Sequence, residues 1–460
     1  MTDQMGTEDG DERTSHVVTA FLRHRGDVLL LHRSDAVGTY AGRWGGVSGF
    51  AEGNPDEQVR VEIREETGLE PGDGVSFVRA GRPVEFEDPA LGREWVVHPY
   101  LFDTDSRAVD PSEEHDALEW VAPTEMLDLD PDDGLETRFN ADRETVPELW
   151  TAYERVAPTV RSIAADDEHG AALLSIRALE VLRDRAGLLV AERAEFGPDP
   201  AGEWDELTGL VDRLLEARPS MAVLRNRVNR AMADAVAAED EDSVAGAPAV
   251  LESTLSNVDR ALAADDDAAA TASERAAGTV MTLSRSGTVL EALRGGEPSR
   301  VFVAESRPAR EGIDVAEELA AADEVDCPVT VHTDAAAAHL LSREDVDRVL
   351  VGADTIRADG AVVNKTGTRM LALAGSREGI PVSVVAATDK LSTREEVPLE
   401  CGGRSAVYDG DALFDVANPT FDVTPADCVD EVVTERGALE TDAVGDVVEE
   451  LRALEEWSDG

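Results

Sequence analysis

From Thr279 onward the chain repeats one pattern: a short apolar run, then a stretch with helical spacing. The runs are TVMTLS, RVFVAES, VTVHTD, RVLVGAD and VSVVAAT, and segments such as GIDVAEELAAAD and TRMLALAGS separate them. Strand and helix in strict alternation build parallel βαβ units with right-handed crossovers. Such a sheet restricts where a ligand can sit, because its binding crevice lies beyond the carboxyl ends of the strands. At those ends the sequence places Ser284, Glu305 with Arg307, Asp334, Asp354, and Asp389 with Lys390.

The rest of the chain reads differently. Residues 147–276 carry apolar side chains at three- and four-residue spacing, as in AALLSIRALEVLRDRAGLLVAE and SMAVLRNRVNRAMADAVAA, and are expected to be helical. Residues 14–130 mix the two patterns. HVVTAFLR and DVLLLHR flank Arg25-Gly26, a hairpin signal. A glycine-rich stretch, GRWGGVSGFAEG, leads into the helical EQVRVEIREETGL. VSFVRAG and EWVVHPYLF are strand candidates, and LEWVAPTEML reads as a closing strand with a short helix. Residues 131–146 are polar and turn-rich and read as an acidic linker, and residues 441–460 as an acidic C-terminal helix and tail.

Charge narrows the setting. The formal net charge is −55, and only two lysines, Lys365 and Lys390, occur among the bases. Self-repulsion on that scale is relieved when salt shortens the Debye length to about 3 Å in molar solution. Acid excess with lysine depletion resembles proteins of the salt-accumulating cytoplasm of halophilic archaea. It argues against non-specific nucleic-acid binding, which needs a basic surface. The expected location is cytoplasmic. No run approaches the ~20 apolar residues of a membrane helix, the N-terminus lacks the basic start of a signal peptide, and the three cysteines have no metal-ligand spacing. Where lysine is this scarce, the two that remain point to places that need a compact ammonium, which arginine does not replace.

Glu62, Glu65 and Glu66 fall at offsets that share one helix face. Three carboxylates there repel one another unless a cation intervenes, and Mg²⁺ favours such oxygen ligands. The stretch GFAEGNPDEQVRVEIREETGL resembles the Nudix box through Gly49, Glu62, Ile63, Glu65, Glu66, Gly68 and Leu69. The resemblance implies a Nudix α/β/α sandwich over 14–130. It implies Mg²⁺ or Mn²⁺ on Glu62, Glu65 and Glu66 as metal-binding and catalytic residues, and hydrolysis of a diphosphate by water. Two departures stand out. Val61 occupies the position of the box arginine that helps hold the glutamates, and the preceding loop is short, with Glu52 or Glu57 as stand-ins for an earlier glutamate.

GADTIRADGAVVNKTGTRMLALA is the most specific segment of the chain. Asn364 and Lys365 precede Thr366-Gly367-Thr368 and a helix, and backbone N–H groups at a helix start beside a lysine suit a phosphate. TLSRSGTV, with Ser284 and Ser286, is a second oxyanion candidate. In order, GTVMTLSRSGTV, ESRPAREG, GADTIRADGAVVNKTGT and NPTFDVTPADCVDEVVTERG resemble the family of translation initiation factor 2B alpha, beta and delta subunits. That family also holds methylthioribose-1-phosphate and ribose-1,5-bisphosphate isomerases, which use a cysteine and an aspartate for proton transfer. By motif the resemblance makes Asp354 the aspartate, Asn364 and Lys365 the Asn-Lys pair, and Arg218 the arginine of an RPT-like motif. Gly170 lies in the first phosphate loop, here His169-Gly170-Ala171. Ser284 stands at the cysteine position and Glu311 at a glutamine position. A hydroxyl is a far poorer proton shuttle than a thiol, and Glu311 brings negative charge toward a phosphate.

These readings combine into an α/β expectation: an N-terminal Nudix α/β/α sandwich, then a helical segment and a Rossmann-like parallel-sheet domain over 277–440. Function is expected to be Nudix-type hydrolysis of a nucleoside diphosphate derivative, joined to a domain that binds a phosphorylated sugar or nucleotide. Arg307, Lys390 and the residues named above are its expected ligand contacts. The alternatives are a non-hydrolytic regulator of translation initiation that meets initiation factor 2, or an active ribose-1,5-bisphosphate-type isomerase. The resemblance further implies a homo-oligomer formed through the C-terminal domain, with no membrane partner.

Overall fold

A computed structural model describes residues 14–72, 74–129, 143–166, 168–240, 243–440 and 443–459. The expected linker at 131–146 lies mostly outside the described residues. The chain divides into two compact units. The first comprises Met1–Thr159, Glu180–Leu207 and Asp242–Leu255; the second comprises Val160–Leu179, Thr208–Glu241 and Ser256–Gly460.

In the first unit, strand Thr14–His24 runs parallel to Arg93–Thr104, in register from Thr14 with Glu94 to Arg23 with Asp103. It turns through Arg25 and Gly26, both at positive φ, into the antiparallel strand Asp27–Arg33. Alternation along these strands makes two cores. Val18, Ala20, Leu22, Leu29 and Leu31 pack with Val59 and Ile63 of helix Pro55–Thr67. Phe21, Val28 and Leu30 pack on the opposite face with Leu149, Ala152 and Tyr153 of helix Leu149–Glu154. The sheet therefore lies between helices, as an α/β/α sandwich. The glycine-rich stretch yields two short strands, Trp44–Gly45 and Val47–Phe50. Val84–Asp88 is a strand that the sequence pattern did not single out.

In the second unit, a seven-stranded sheet runs Val329–His332, Pro298–Ala304, Gly278–Leu283, Arg348–Gly352, Val382–Val385, Glu431–Thr434, Gly437–Leu439. Its pairs are parallel except the last. Met281, Val349 and Val384 bury one face against Leu371 and Val448; Val280, Leu350 and Val385 bury the other against Leu293 and Leu319. Helices thus cover both faces. Chain order reverses between Gly278–Leu283 and Arg348–Gly352, so the crevice of a doubly wound sheet opens there. A small antiparallel sheet, Thr355–Ile356, Val362–Lys365 and Phe421–Thr424, was not legible in the hydrophobic pattern. Among the described residues no helix is long and apolar enough to cross a membrane.

Candidate functional site

The first unit holds a cavity of about 590 Å³. Glu52, Glu62, Glu65 and Glu114 line it, together with Arg33 and Gln58, and Tyr40, Phe50, Phe86, Arg93 and Trp95 complete it. Local chemistry sets the glutamates. Asn54 caps helix Pro55–Thr67 by accepting from the Asp56 N–H, and Gly68 ends it in the left-handed region at φ 70°. Gln58 Nε2 donates to Glu62 Oε1 at 2.6 Å, fixing that carboxylate toward the cavity. Gly49 leaves it room: a Cβ there would come within 2.0 Å of the Glu62 carboxyl carbon and displace the carboxylate.

Glu66 is buried, and its Oε2 accepts the Ser48 N–H at 3.1 Å. Burial pushes its carboxyl up to about 8, against the Ser48 bond and the nearby Arg33, with Glu62 and Glu114 adding repulsion. Glu62 is also raised, by burial and by Glu65 and Glu114, although the Gln58 bond opposes this. His115 Nε2 lies 3.9 Å from Glu66 Oε2. Burial, helped by Arg33, pushes its imidazole down to about 4, so it is neutral at pH 7. Oxygen-only donors that repel one another suit a hard divalent cation. Among the described residues, however, no three carboxylate, imidazole or thiol groups converge on one point to hold a metal. Arg33, Gln58, Glu114 and His115 were missed in the sequence because they lie outside the box or carry no spacing signal.

Aromatic residues also line the cavity. Phe50 and Trp95 stack with centroids 6.1 Å apart, Tyr40 lies 6.0 Å from Trp95, and the Arg93 guanidinium sits 5.7 Å over Trp95. Tyr40 Oη donates to Asp88 at 2.7 Å.

In the second unit, Ser284 follows strand Gly278–Leu283 and Asp354 follows strand Arg348–Gly352, so both flank the reversal of strand order. Ser284 Oγ donates to Glu311 Oε2 at 2.6 Å, and Lys365 Nζ pairs with Glu311 Oε1 at 2.7 Å. Burial raises the Asp354 carboxyl, outweighing Lys390 and Lys365, while Glu311 and Glu400 push the same way. Lys390 donates from Nζ to the Ala353 carbonyl at 2.6 Å, and burial pulls its ammonium down despite Asp354. Its neighbour Asp389 is fully buried among Arg227, Arg230 and Arg260, at 3.2, 3.4 and 3.1 Å. Burial would raise that carboxyl, but the three guanidiniums together hold it below the ordinary range.

The other expected contacts take varied positions. Ser286 caps helix Gly287–Gly295 by accepting the Val289 N–H, and a Cβ on Gly352 would come within 2.5 Å of its Oγ. Arg307 is exposed, with its N–H on Asp334 at 2.8 Å and its guanidinium 3.6 Å from Glu305. Asn364 spends its amide on Thr368 Oγ1 at 2.9 Å. Arg218 donates to the carbonyls of Ile163 and Asp166, close in sequence to Gly170, which precedes helix Ala171–Phe196. The helix start expected to receive a phosphate is filled from within: Asp422 accepts the N–H groups of Gly367 at 2.8 Å and Arg369 at 3.1 Å. Asp422 enters through the unanticipated small sheet, where it lies opposite Asn364.

Residues 167–441 match the model of the initiation factor 2 subunit family, and residues 13–143 match that of the NUDIX domain. The chain is 33% identical over 321 residues to "Ribose 1,5-bisphosphate isomerase" of Haloferax volcanii, covering 65% of this chain and 94% of that one. It is 40% identical over 172 residues to "Methylthioribose-1-phosphate isomerase" of Pseudomonas aeruginosa, covering 34% of this chain and 46% of the other. Among solved structures it is similar to the translation initiation factor eIF-2B of Pyrococcus horikoshii OT3, with a TM-score of 0.50 and 26% identity, over 61% of this chain and 94% of that one.

Proposed function

Because the chain belongs to the initiation factor 2 subunit family and carries a NUDIX domain ahead of it, we propose that it hydrolyses a nucleoside diphosphate derivative in the first unit and binds a phosphorylated sugar in the second. The observation that carries the first part is a cavity lined both by Glu62, Glu65 and Glu114 and by Phe50 and Trp95. A diphosphate joined to a planar base has matching ends. Glu62, Glu65 and Glu66 are the residues that would hold Mg²⁺ or Mn²⁺ once they draw together around it, and the ion would supply positive charge to the diphosphate. Gln58 orients Glu62, the Ser48 N–H orients Glu66, and neutral His115 adds no competing cation beside them. Half-exposed Phe50, backed by buried Trp95, gives the base a stacking surface, and Arg93 gives it a cationic rim.

The second part rests on Lys365 and Asp354 at the strand-order reversal, and on relatives whose names are those of sugar-phosphate isomerases. Lys365 offers a point charge to a phosphate. Association into a homo-oligomer through this unit belongs to the same reading. Phosphate release from a panel of nucleoside diphosphate derivatives, at high salt with Mg²⁺, tests the hydrolase. Absence of turnover on every member by a folded protein would remove it. Calorimetric titration with ribose 5-phosphate and ribose 1,5-bisphosphate tests the second unit, with heat expected for at least one and its loss in Lys365→Met.

A further inference from the structure

The two positions at which the C-terminal crevice departs from its relatives' motif touch each other. Ser284 Oγ donates to Glu311 Oε2 at 2.6 Å, and the other Glu311 oxygen receives Lys365 Nζ at 2.7 Å. A hydroxyl at residue 284 cannot release a proton near neutral pH, but it can orient a carboxylate that accepts one. The backbone around this contact is strained. Ser284, Ser306 and Arg310 are non-glycine residues at φ of 59°, 61° and 64°. Ser284 bonds Glu311, Ser306 Oγ accepts the Ser284 N–H at 2.6 Å, and Arg310 immediately precedes Glu311. Left-handed backbone at such residues persists only where the surroundings over-determine it, and it gathers at functional sites.

We propose that Glu311 is the second proton-transferring carboxyl of the C-terminal crevice, partner to Asp354, and that the site interconverts a phosphorylated aldose with its ketose without a thiol. The inference rests on the sugar-phosphate reading above and adds turnover to it. For an aldose phosphorylated at its anomeric oxygen the step balances without oxidant or reductant. Asp354, whose carboxyl burial pushes toward the protonated form, gives a proton to the ring oxygen as the bond from C1 to that oxygen breaks, the bonding pair leaving with oxygen. Glu311 takes the proton from C2, and that C–H pair becomes the C1–C2 double bond. The C2 hydroxyl then returns its proton to Asp354 as the carbonyl forms, and Glu311 delivers its proton to C1. Both carboxyls end as they began. Lys365 Nζ, 2.7 Å from Glu311 Oε1, is placed to hold the carboxylate in position and to meet the phosphate of the ligand.

Ketose formation from ribose 1,5-bisphosphate and ribose 1-phosphate in heavy water, at high salt, tests this by nuclear magnetic resonance. Wild type is expected to form ketose from one of them, with the C2 hydrogen carried to C1 in the fraction of turnovers in which Glu311 does not exchange it with solvent. Glu311→Gln is expected to lower kcat by about 10²–10⁴-fold with little change in KM. The double variant Ser284→Cys with Glu311→Gln, which moves the acidic proton back to residue 284, is expected to regain at least tenfold (about 1.4 kcal/mol) over Glu311→Gln. Cys401, next to Glu400 in sequence, is the competing thiol, and Cys401→Ser is expected to leave turnover unchanged. Ketose formation that survives Glu311→Gln, or that disappears in Cys401→Ser, would overturn the role of Glu311. Wild type that binds ribose 1,5-bisphosphate in the titration but forms no ketose would also overturn it, while leaving the binding reading intact. Wild type that binds neither sugar phosphate and forms no ketose would remove both.

Discussion

The two candidate sites handle carboxylates in opposite ways. In the first unit Glu62, Glu65, Glu66 and Glu114 crowd one region, and burial first, then their mutual repulsion, makes Glu62 and Glu66 hold their protons more tightly. In the second unit Glu311 has Lys365, Asp354 is opposed by Lys390 and Lys365, and Asp389 has three arginines. One site has carboxyls raised by burial and by one another; the other carries its own counter-ions. In a chain with a net charge of −55 the difference is informative, because cations are scarce and their placement is selective. On the proposed function, the first arrangement would take a divalent ion from solution, and the second would do acid–base work without one.

The contrast can be broken most sharply at Glu66. Glu66→Gln removes a group expected to be essential, and hydrolysis should fall by about 10²–10⁴-fold in a phosphate-release assay. The melting temperature above pH 8 should nevertheless rise, because a neutral amide relieves the burial of a charge. A fall in both would mean that Glu66 is structural. Asp389→Asn should have the reverse profile. It strands Arg227, Arg230 and Arg260 around a neutral group and should cost about 3–5 kcal/mol of stability by denaturant titration, without touching hydrolysis in the folded fraction.

Gly49→Ala is a finer cut. The added methyl would meet Glu62 at 2.0 Å, so the carboxylate must swing away, and activity should fall by about 10²-fold with little loss of stability. Smallest is a pH effect. The Glu66 carboxyl is raised from the usual ~4.3 of a glutamate to about 8 in the folded chain. The stability it contributes is therefore fully present below about pH 4 and is lost as pH rises through 8. Mg²⁺, which binds the ionised form, should raise the melting temperature more at pH 8.5 than at pH 5.5. An equal shift at both would argue that the carboxylates do not hold the ion. Asp389 runs the other way: its carboxyl is depressed, so its contribution is present above the ordinary aspartate range and is lost as pH falls through the lowered value.

Much of this was written in the sequence, for reasons that are local. Strand-length apolar runs alternating with helical spacing require a parallel sheet, so Ser284 and Asp354 could be placed at its carboxyl edge from pattern alone. The helix over Glu62, Glu65 and Glu66 was expected from the three- and four-residue spacing, and the structure adds the Asn54 cap at its start and the left-handed Gly68 that stops it. Lysine scarcity pointed to Lys365 and Lys390. Pairings between distant segments were beyond reach. Nothing in the sequence tells that Asp422 fills the start of helix Thr368–Glu378. Nor does it tell that Ser48 holds Glu66, that Glu311 bridges Ser284 and Lys365, or that Lys390 is turned to a backbone carbonyl. Periodicity fixes which face of an element is buried, because that depends on neighbours three or four residues away. Which carboxylate meets which cation depends on loop paths and strand order, and those are decided only when the tertiary structure closes.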